Sequence, residues 1–382
     1  MTAAPPDAAV PGLDALEDTD RLAALLAERG ETLRGCRYRR WKPGTSTVLA
    51  LELASGPAWG YAVSAGARPK LDKTIERAPV GSVLLDRRDL GLLVARPSAD
   101  RDLAALADLD RALSRALRGP ALGRRWCGLA YKPQRRWVGA LDEAGGARRT
   151  VRVYRRRDLP AARAALALAA DLGGVRAPRE AAAAARGGLL VTSWLPGRPL
   201  DRLLDGPTAG DLLDGAGAVL ARVHAAPVRP DRDARPEDAE LTAVRDQLVA
   251  LLPGEAGRVR RLAGRLADAP ELSAPRVLRH GDFSVDQVVV DDDGRPGLVD
   301  WDRAHLGRAV DDLATADAAG LTPAQHQALL TGYATVRPLP AGLPAALARA
   351  RFLRAAEPFR RCSSRWPAEV RARLDAVEEV LA

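Results

Sequence analysis

The stretch from Leu278 to Ala314, LRHGDFSVDQVVVDDDGRPGLVDWDRAHLGRAVDDLA, concentrates the chemistry-bearing residues of the chain. Asp282 lies in a loop, the amide Gln287 follows it, and Val288-Val289-Val290 makes a short apolar run. Asp293-Gly294 turns the chain, and Leu298-Val299 brings it back to Asp300. A turn between two apolar runs predicts a β-hairpin, which would gather Asp282, Gln287 and Asp300 at one end of a small sheet. Two carboxylates and an amide oxygen in one place form a hard-oxygen site suited to magnesium and to a substrate hydroxyl.

Outward from this stretch, 382 residues at 47% hydrophobic composition can bury a large core and predict two or three domains. The opening MTAAPPDAAVPGLDALEDTD has neither the basic nor the apolar region of a secretory signal, and no apolar run is long enough for a bilayer. Cys36, Cys127 and Cys362 lack metal-ligand spacing. They suit a reducing cytoplasm and read as buried small hydrophobes. The net charge of +9 raises nucleic acid as a partner, yet only four of the 58 basic residues are lysines and aromatics are 4%. With no recognisable reading module, the basic residues clustered between Arg124 and Arg157 suit a nucleoside triphosphate better than a nucleic-acid backbone.

Two short stretches echo one another. Tyr38-Arg39-Arg40-Trp41-Lys42-Pro43-Gly44 precedes one strand-like run, and Tyr131-Lys132-Pro133-Gln134-Arg135-Arg136-Trp137 precedes another. Each is followed by a further strand candidate, 59–63 and 150–154, so a duplicated hairpin unit is expected. A helix is expected over 18–29, ended by Gly30, and another over 100–117, with Leu103, Leu106, Leu109, Leu113 and Leu117 on one side. After 159 the chain turns alanine-rich and helical, and Leu189-Leu190-Val191-Thr192 reads as a strand. Periodic apolar residues from 322 onward predict about three more helices.

The 278–314 pattern resembles the catalytic core of the aminoglycoside phosphotransferase and choline kinase-like family, relatives of the protein kinases that phosphorylate small molecules. The resemblance spans roughly 125–360 and implies an α+β, two-lobed protein-kinase-like fold. Residues 1–120 would be an added N-terminal domain, 121–193 the small nucleotide-binding lobe, and 194–382 the large helical catalytic lobe. It implies ATP and Mg2+ as cofactors and a small-molecule hydroxyl as acceptor, on an aminoglycoside, sugar or related metabolite. Asp282 takes the position that orients the acceptor hydroxyl and accepts its proton. Asp300 takes that of the metal-binding carboxylate, Asp302 either binds a second metal or shapes the loop, and Gln287 stands where the family has Asn. Thr192-Ser193-Trp194-Leu195-Pro196-Gly197 resembles the hinge between lobes, placing Ser193 and Trp194 at the adenine edge. Asp312 and His280 would fix the catalytic loop.

Four departures accompany the resemblance. Besides Gln287 for Asn, Arg152 aligns with the family's phosphate-binding Lys and keeps the charge without the geometry. The helix near 161–172, expected to supply that Lys with a Glu partner, contains no Glu. No glycine-rich loop is present, and Lys132 with Arg136 occupies the turn that would cover the phosphates. The lost pair supports an alternative, a kinase-fold binding or regulatory protein with lost or weak catalysis. Acidic residues Asp286, Asp291, Asp292, Asp293, Asp311 and Asp317 suggest a cationic or neutral acceptor on the far side of the cleft.

Overall fold

Asp18 accepts hydrogen bonds from the backbone N–H groups of Asp20 and Arg21, capping helix α2 (Thr19–Ala27) after the short α1 (Leu13–Glu17). In this computed structural model, which describes residues 2–119, 124–143, 145–227, 237–268 and 275–382, an antiparallel sheet follows. Its strands are β1 (Leu33–Lys42), β2 (Ser46–Leu53), β3 (Gly56–Val63), β4 (Val83–Arg87) and β5 (Leu92–Ala95), in the order β1-β2-β3-β5-β4. Helix α3 (Arg68–Glu76) connects β3 to β4.

The segment after it departs from the expected single helix. A 3-10 turn over Ala104–Asp108 precedes α4 (Leu109–Ala116), because the Asp108 carboxylate accepts from Arg111 N–H and starts the α-helix there. Leu103, Leu106, Leu109 and Leu113 do share a face, which packs on the second sheet against Trp137, Val151 and Val191. That sheet contains β6 (Arg125–Lys132), β7 (Arg136–Asp142), β8 (Arg148–Tyr154), β9 (Glu180–Ala184) and β10 (Leu189–Ser193), with α5 (Leu159–Ala170) between β8 and β9. Its order, β6-β7-β8-β10-β9, repeats that of the first.

The repeat extends to register. Lys42 pairs with Ser46 and Lys132 with Arg136; Ser46 pairs with Val63 and Arg136 with Tyr154. Tyr61 opposite Leu93 corresponds to Arg152 opposite Leu190. Val63 N–H donates to Gly91 O, and Tyr154 N–H donates to Gly188 O, each glycine at positive φ. Both tight turns are also tied down alike. Asp7 Oδ2 accepts from Trp41 Nε1 and Gly44 N, while Asp100 Oδ2 accepts from Tyr131 OH and Gln134 N. Gly44 and Gln134 are both left-handed, at φ 69° and 59°.

The large lobe carries β11 (Arg198–Pro199), β12 (Arg276–Arg279), β13 (Val288–Val290), β14 (Pro296–Leu298) and β15 (His305–Arg308). The expected hairpin is β13–β14, with Val288 opposite Leu298 and Val290 opposite Pro296. Asp291 closes its turn by accepting from Asp293 N and Arg295 N. Around these strands lie α6 (Ala209–Ala225), α7 (Glu237–Leu251), α8 (Ala256–Ala267), α9 (Ala309–Ala318), α10 (Pro323–Ala334), α11 (Leu343–Arg354), α12 (Glu357–Arg360) and α13 (Trp366–Leu381). Helices α6 and α10 cross so closely that a Cβ on Gly217 would lie 2.0 Å from Leu329 O, and one on Gly332 1.8 Å from Asp214 O. Only glycine permits that approach.

The first sheet touches both lobes. Arg40 Nη2 donates to Gln134 Oε1 at 2.6 Å, while Trp41 enters the core formed with α7, α8 and α11 to α13. Behind Trp41, fully buried Arg39 pairs with Glu17 at 2.9 Å and stacks over Phe359 at 4.6 Å. Burial pushes the Glu17 carboxyl upward against the pull of Arg39. The cysteines depart from expectation, since Cys127 is exposed and Cys36 and Cys362 are only half-buried. A hydrogen bond with Cys362, helped by burial, raises the Cys36 thiol.

Candidate active site

The loop bearing Asp282 is built on one buried carboxylate. Asp312, on α9 and fully enclosed, accepts from the backbone N–H of His280 at 2.7 Å and of Gly281 at 3.0 Å. Its other partners are His224 Nε2 on α6 at 3.1 Å and the guanidinium of Arg279 on β12. Burial opposes ionisation of Asp312, but Arg279 and His224 outweigh it and hold the carboxyl well below its usual range. Burial lowers the His224 pKa more than Asp312 raises it, so the ring is neutral at pH 7 and acts through hydrogen bonds. His280 Nε2 meets Val299 O at 2.9 Å, joining the loop to the strand end before Asp300. Gly281, at φ 79°, leaves no room for a Cβ, which would lie 2.2 Å from Arg303 O. Asp282 emerges from this locked turn with its side chain 32% exposed.

Asp300 follows β14 in the left-handed region at φ 66°, a conformation that costs a non-glycine residue energy and re-aims its carboxylate. The small lobe supplies its partners. Arg136 Nη1 donates to Asp300 Oδ1 at 2.6 Å and to Asp302 Oδ2, and its Nη2 donates to Asp300 Oδ2 at 3.0 Å. Arg152 Nη1 donates to Asp300 Oδ1 at 3.0 Å, and Tyr154 OH to Asp302 Oδ1 at 2.9 Å. Burial would raise the Asp300 pKa, yet Arg136 and Arg152 together keep it below its normal range. This network lies where the resemblance leads one to expect a lysine–glutamate pair. Since α5 has no Glu, Arg152 is balanced by carboxylates of the opposite lobe. Tyr154 was missed in the sequence, although two residues beyond Arg152 on one strand puts it on the same face.

Lys132 lies in the same cleft. Burial and the Arg136 charge lower its pKa, while Asp300 and Asp282 both pull the other way, so its ammonium senses the two carboxylates together. Gln287 is tied in through its backbone carbonyl, which accepts from Val299 N at 3.0 Å, and its side-chain amide donates to Asp286 Oδ2. Ser193 Oγ accepts from Arg179 N, and Arg148 stacks over the Trp194 ring at 4.5 Å, which places both at the end of β10. Between them and the acidic pair, Thr192, Leu190, Pro178, Leu166, Arg152 and Trp301 line a small cavity. Asp300 and Asp302 are ionisable hard-oxygen donors side by side, a donor set that fits magnesium. Among the described residues no cluster of three or more His, Cys, Asp or Glu offers another metal site.

Four of the six acidic residues expected to face the acceptor are occupied elsewhere. Asp291 pairs with Arg176, Asp293 with Arg295, Asp311 with Arg279 and Arg308, and Asp317 with His326 and Arg351. Asp282 instead has two cations near it, Arg303 Nε at 3.7 Å and Arg354 Nη1 at 3.8 Å.

The sequence model of the phosphotransferase enzyme family (APH) matches residues 130–353, more than half of the chain. No curated protein matches the chain. Among solved structures, the choline kinase LicA from Streptococcus pneumoniae is similar with a TM-score of 0.52 at 15% identity, covering 72% of this chain and 97% of its own. An aminoglycoside-3'-phosphotransferase of type VIII is similar at 22% identity with a TM-score of 0.50, covering 64% and 97%. A thermostable mutant aminoglycoside phosphotransferase, in ternary complex with ADP and hygromycin B, is similar at 17% identity with a TM-score of 0.52, covering 71% and 98%. No helix among the described residues is long and apolar enough to cross a membrane.

Proposed function

The chain belongs to the phosphotransferase enzyme family and is a small-molecule kinase, and from that premise we propose that it transfers the γ-phosphate of ATP to a hydroxyl of a small molecule in the cytoplasm. The observation that carries the reading is the convergence of Arg136, Arg152 and Tyr154 from the small lobe on Asp300 and Asp302 of the large lobe. Phosphoryl transfer asks the protein mainly to align donor and acceptor and to offset charge. Arg152, Arg136 and Lys132 bind the phosphate chain, and Ser193 with Trp194 borders the base. Asp300 and Asp302 would hold magnesium, and Gln287 would add its amide oxygen. When bound, that ion supplies charge that neutralises phosphate oxygens. Asp282 orients the acceptor hydroxyl and takes its proton, held in position by the Asp312 lock on His280 and Gly281.

The test is ADP release with Asp282→Asn beside the wild type. General-base removal should cost turnover about 10²–10⁴-fold with Mg-ATP affinity kept. An Asp282→Asn protein as active as wild type would sink the mechanism. A second reading, a kinase-fold binding protein without turnover, draws on the guanidinium groups that already engage Asp300 and Asp302. Mg-ATP binding with no phosphate transfer to any acceptor would favour it.

A further inference from the structure

We infer that the acceptor carries a negatively charged group, a carboxylate or phosphate, next to the hydroxyl that is phosphorylated; this rests on the phosphotransferase reading. Asp282 is the residue from which the acceptor side of the cleft is measured, and the groups around it are cationic. Arg303 Nε and Arg354 Nη1 lie 3.7 and 3.8 Å from its two oxygens, beyond hydrogen-bond length, so the contact is one of charge and leaves N–H donors for a ligand. Arg303 is 60% exposed and has no other carboxylate within ion-pair distance among the described residues. Arg354 reaches from the end of α11, is braced by Glu357 at 2.8 Å, and keeps a buried Nε with no partner.

Arg360 of α12 completes the wall. It donates to Gln247 Oε1 at 2.6 Å, and burial lowers its pKa, as do the charges of Arg303 and Arg135, against Tyr38 and Glu357. Three separate parts of the chain therefore bring cationic charge together: the β6–β7 turn with Arg135, the segment after Asp300 with Arg303, and α12 with Arg360. Glu357, the carboxylate that braces Arg354, is already shared with Arg373. A cationic acceptor would meet like charge at close range, whereas an anionic one would find unspent guanidinium donors. Nucleotide phosphates face a different set, Arg136 and Arg152 over Asp300.

The experiment compares ADP release with glucose, glucuronate, glucose 6-phosphate, choline and kanamycin at equal concentration. We expect an anionic member to exceed glucose by about tenfold or more in kcat/KM, the value of one charged contact. Arg303→Gln, an exposed change, should lower kcat/KM for that acceptor about tenfold through KM while glucose moves by less than about threefold. Arg354→Gln should act in the same direction. Highest kcat/KM for choline, kanamycin or glucose would overturn the inference and leave the phosphotransferase reading standing. An equal loss on charged and neutral acceptors in Arg303→Gln would overturn it too. Mg-ATP binding with no acceptor-dependent ADP release from any class would overturn the phosphotransferase reading, and the inference with it.

Discussion

The first and second sheets share strand order, register, an aspartate-tied turn and a left-handed glycine before the last strand, yet only the second faces Asp300. At three matching register positions the first has Ser46, Tyr61 and Val63 where the second has Arg136, Arg152 and Tyr154. All three second-sheet residues bond to Asp300 or Asp302. Scaffold and chemistry are therefore separable. The repeated frame positions side chains, and three substitutions on one face make it a charged or an inert surface. The first sheet uses its copy for architecture, with Trp41 in the large-lobe core and Arg40 bracing the turn that carries Arg136.

The comparison breaks first at the glycines. A Cβ on Gly188 would lie 2.1 Å from Tyr154 O, and one on Gly91 2.8 Å from Val63 O, both at positive φ. Gly188→Ala should cost roughly 3 kcal/mol or more and Gly91→Ala less, by urea unfolding. An equal loss at the two sites would mean that the second frame relaxes as readily as the first.

A smaller effect is expected where the turns are tied. Asp100→Ala removes acceptors for Tyr131, Gln134 and Asp102 in a site 1% exposed, whereas Asp7→Ala removes bonds from a half-buried site. Losses of about 2 and about 1 kcal/mol are expected, and the reverse ranking would refute the account of the anchors.

The smallest effect is in pH. Burial raises the Asp100 pKa to about 6 despite its hydrogen bonds. A raised folded-state value means that its contribution is fully present below the unfolded pKa near 4 and is lost as pH rises through about 6. Wild-type stability should therefore fall relative to Asp100→Asn between pH 4 and 6. Parallel pH profiles would contradict the assignment.

Local signals were legible where they sit close in the chain. The Val288-to-Leu298 hairpin, the capped helix after Asp18 and the two Lys-Pro turns all follow from short-range turn and capping chemistry. The extent of the repeat was not, because its edge strands β4 and β9, VLLDR and EAAAA, share no pattern. The matching anchors Asp7 and Asp100 precede their sheets by long intervals. Asp312 and His280 could be expected at the catalytic loop only through family resemblance, since four separate elements meet on that one carboxylate. The pairing of Arg136 with Asp300 spans 164 residues and is set by lobe packing, which no periodicity encodes. For the same reason the pairings of Asp291, Asp311 and Asp317 were not legible, because arginines that neutralise them lie on other elements.

The most direct measurement is calorimetric titration of Mg-ATP into Arg152→Ala and into Tyr61→Phe, changes at the same register position of the two sheets. Arg152→Ala should weaken binding about tenfold or more by loss of a charged contact, while Tyr61→Phe binds as wild type does. Wild-type affinity in Arg152→Ala, or an equal loss in both, would contradict the claim that the second sheet alone carries the nucleotide chemistry.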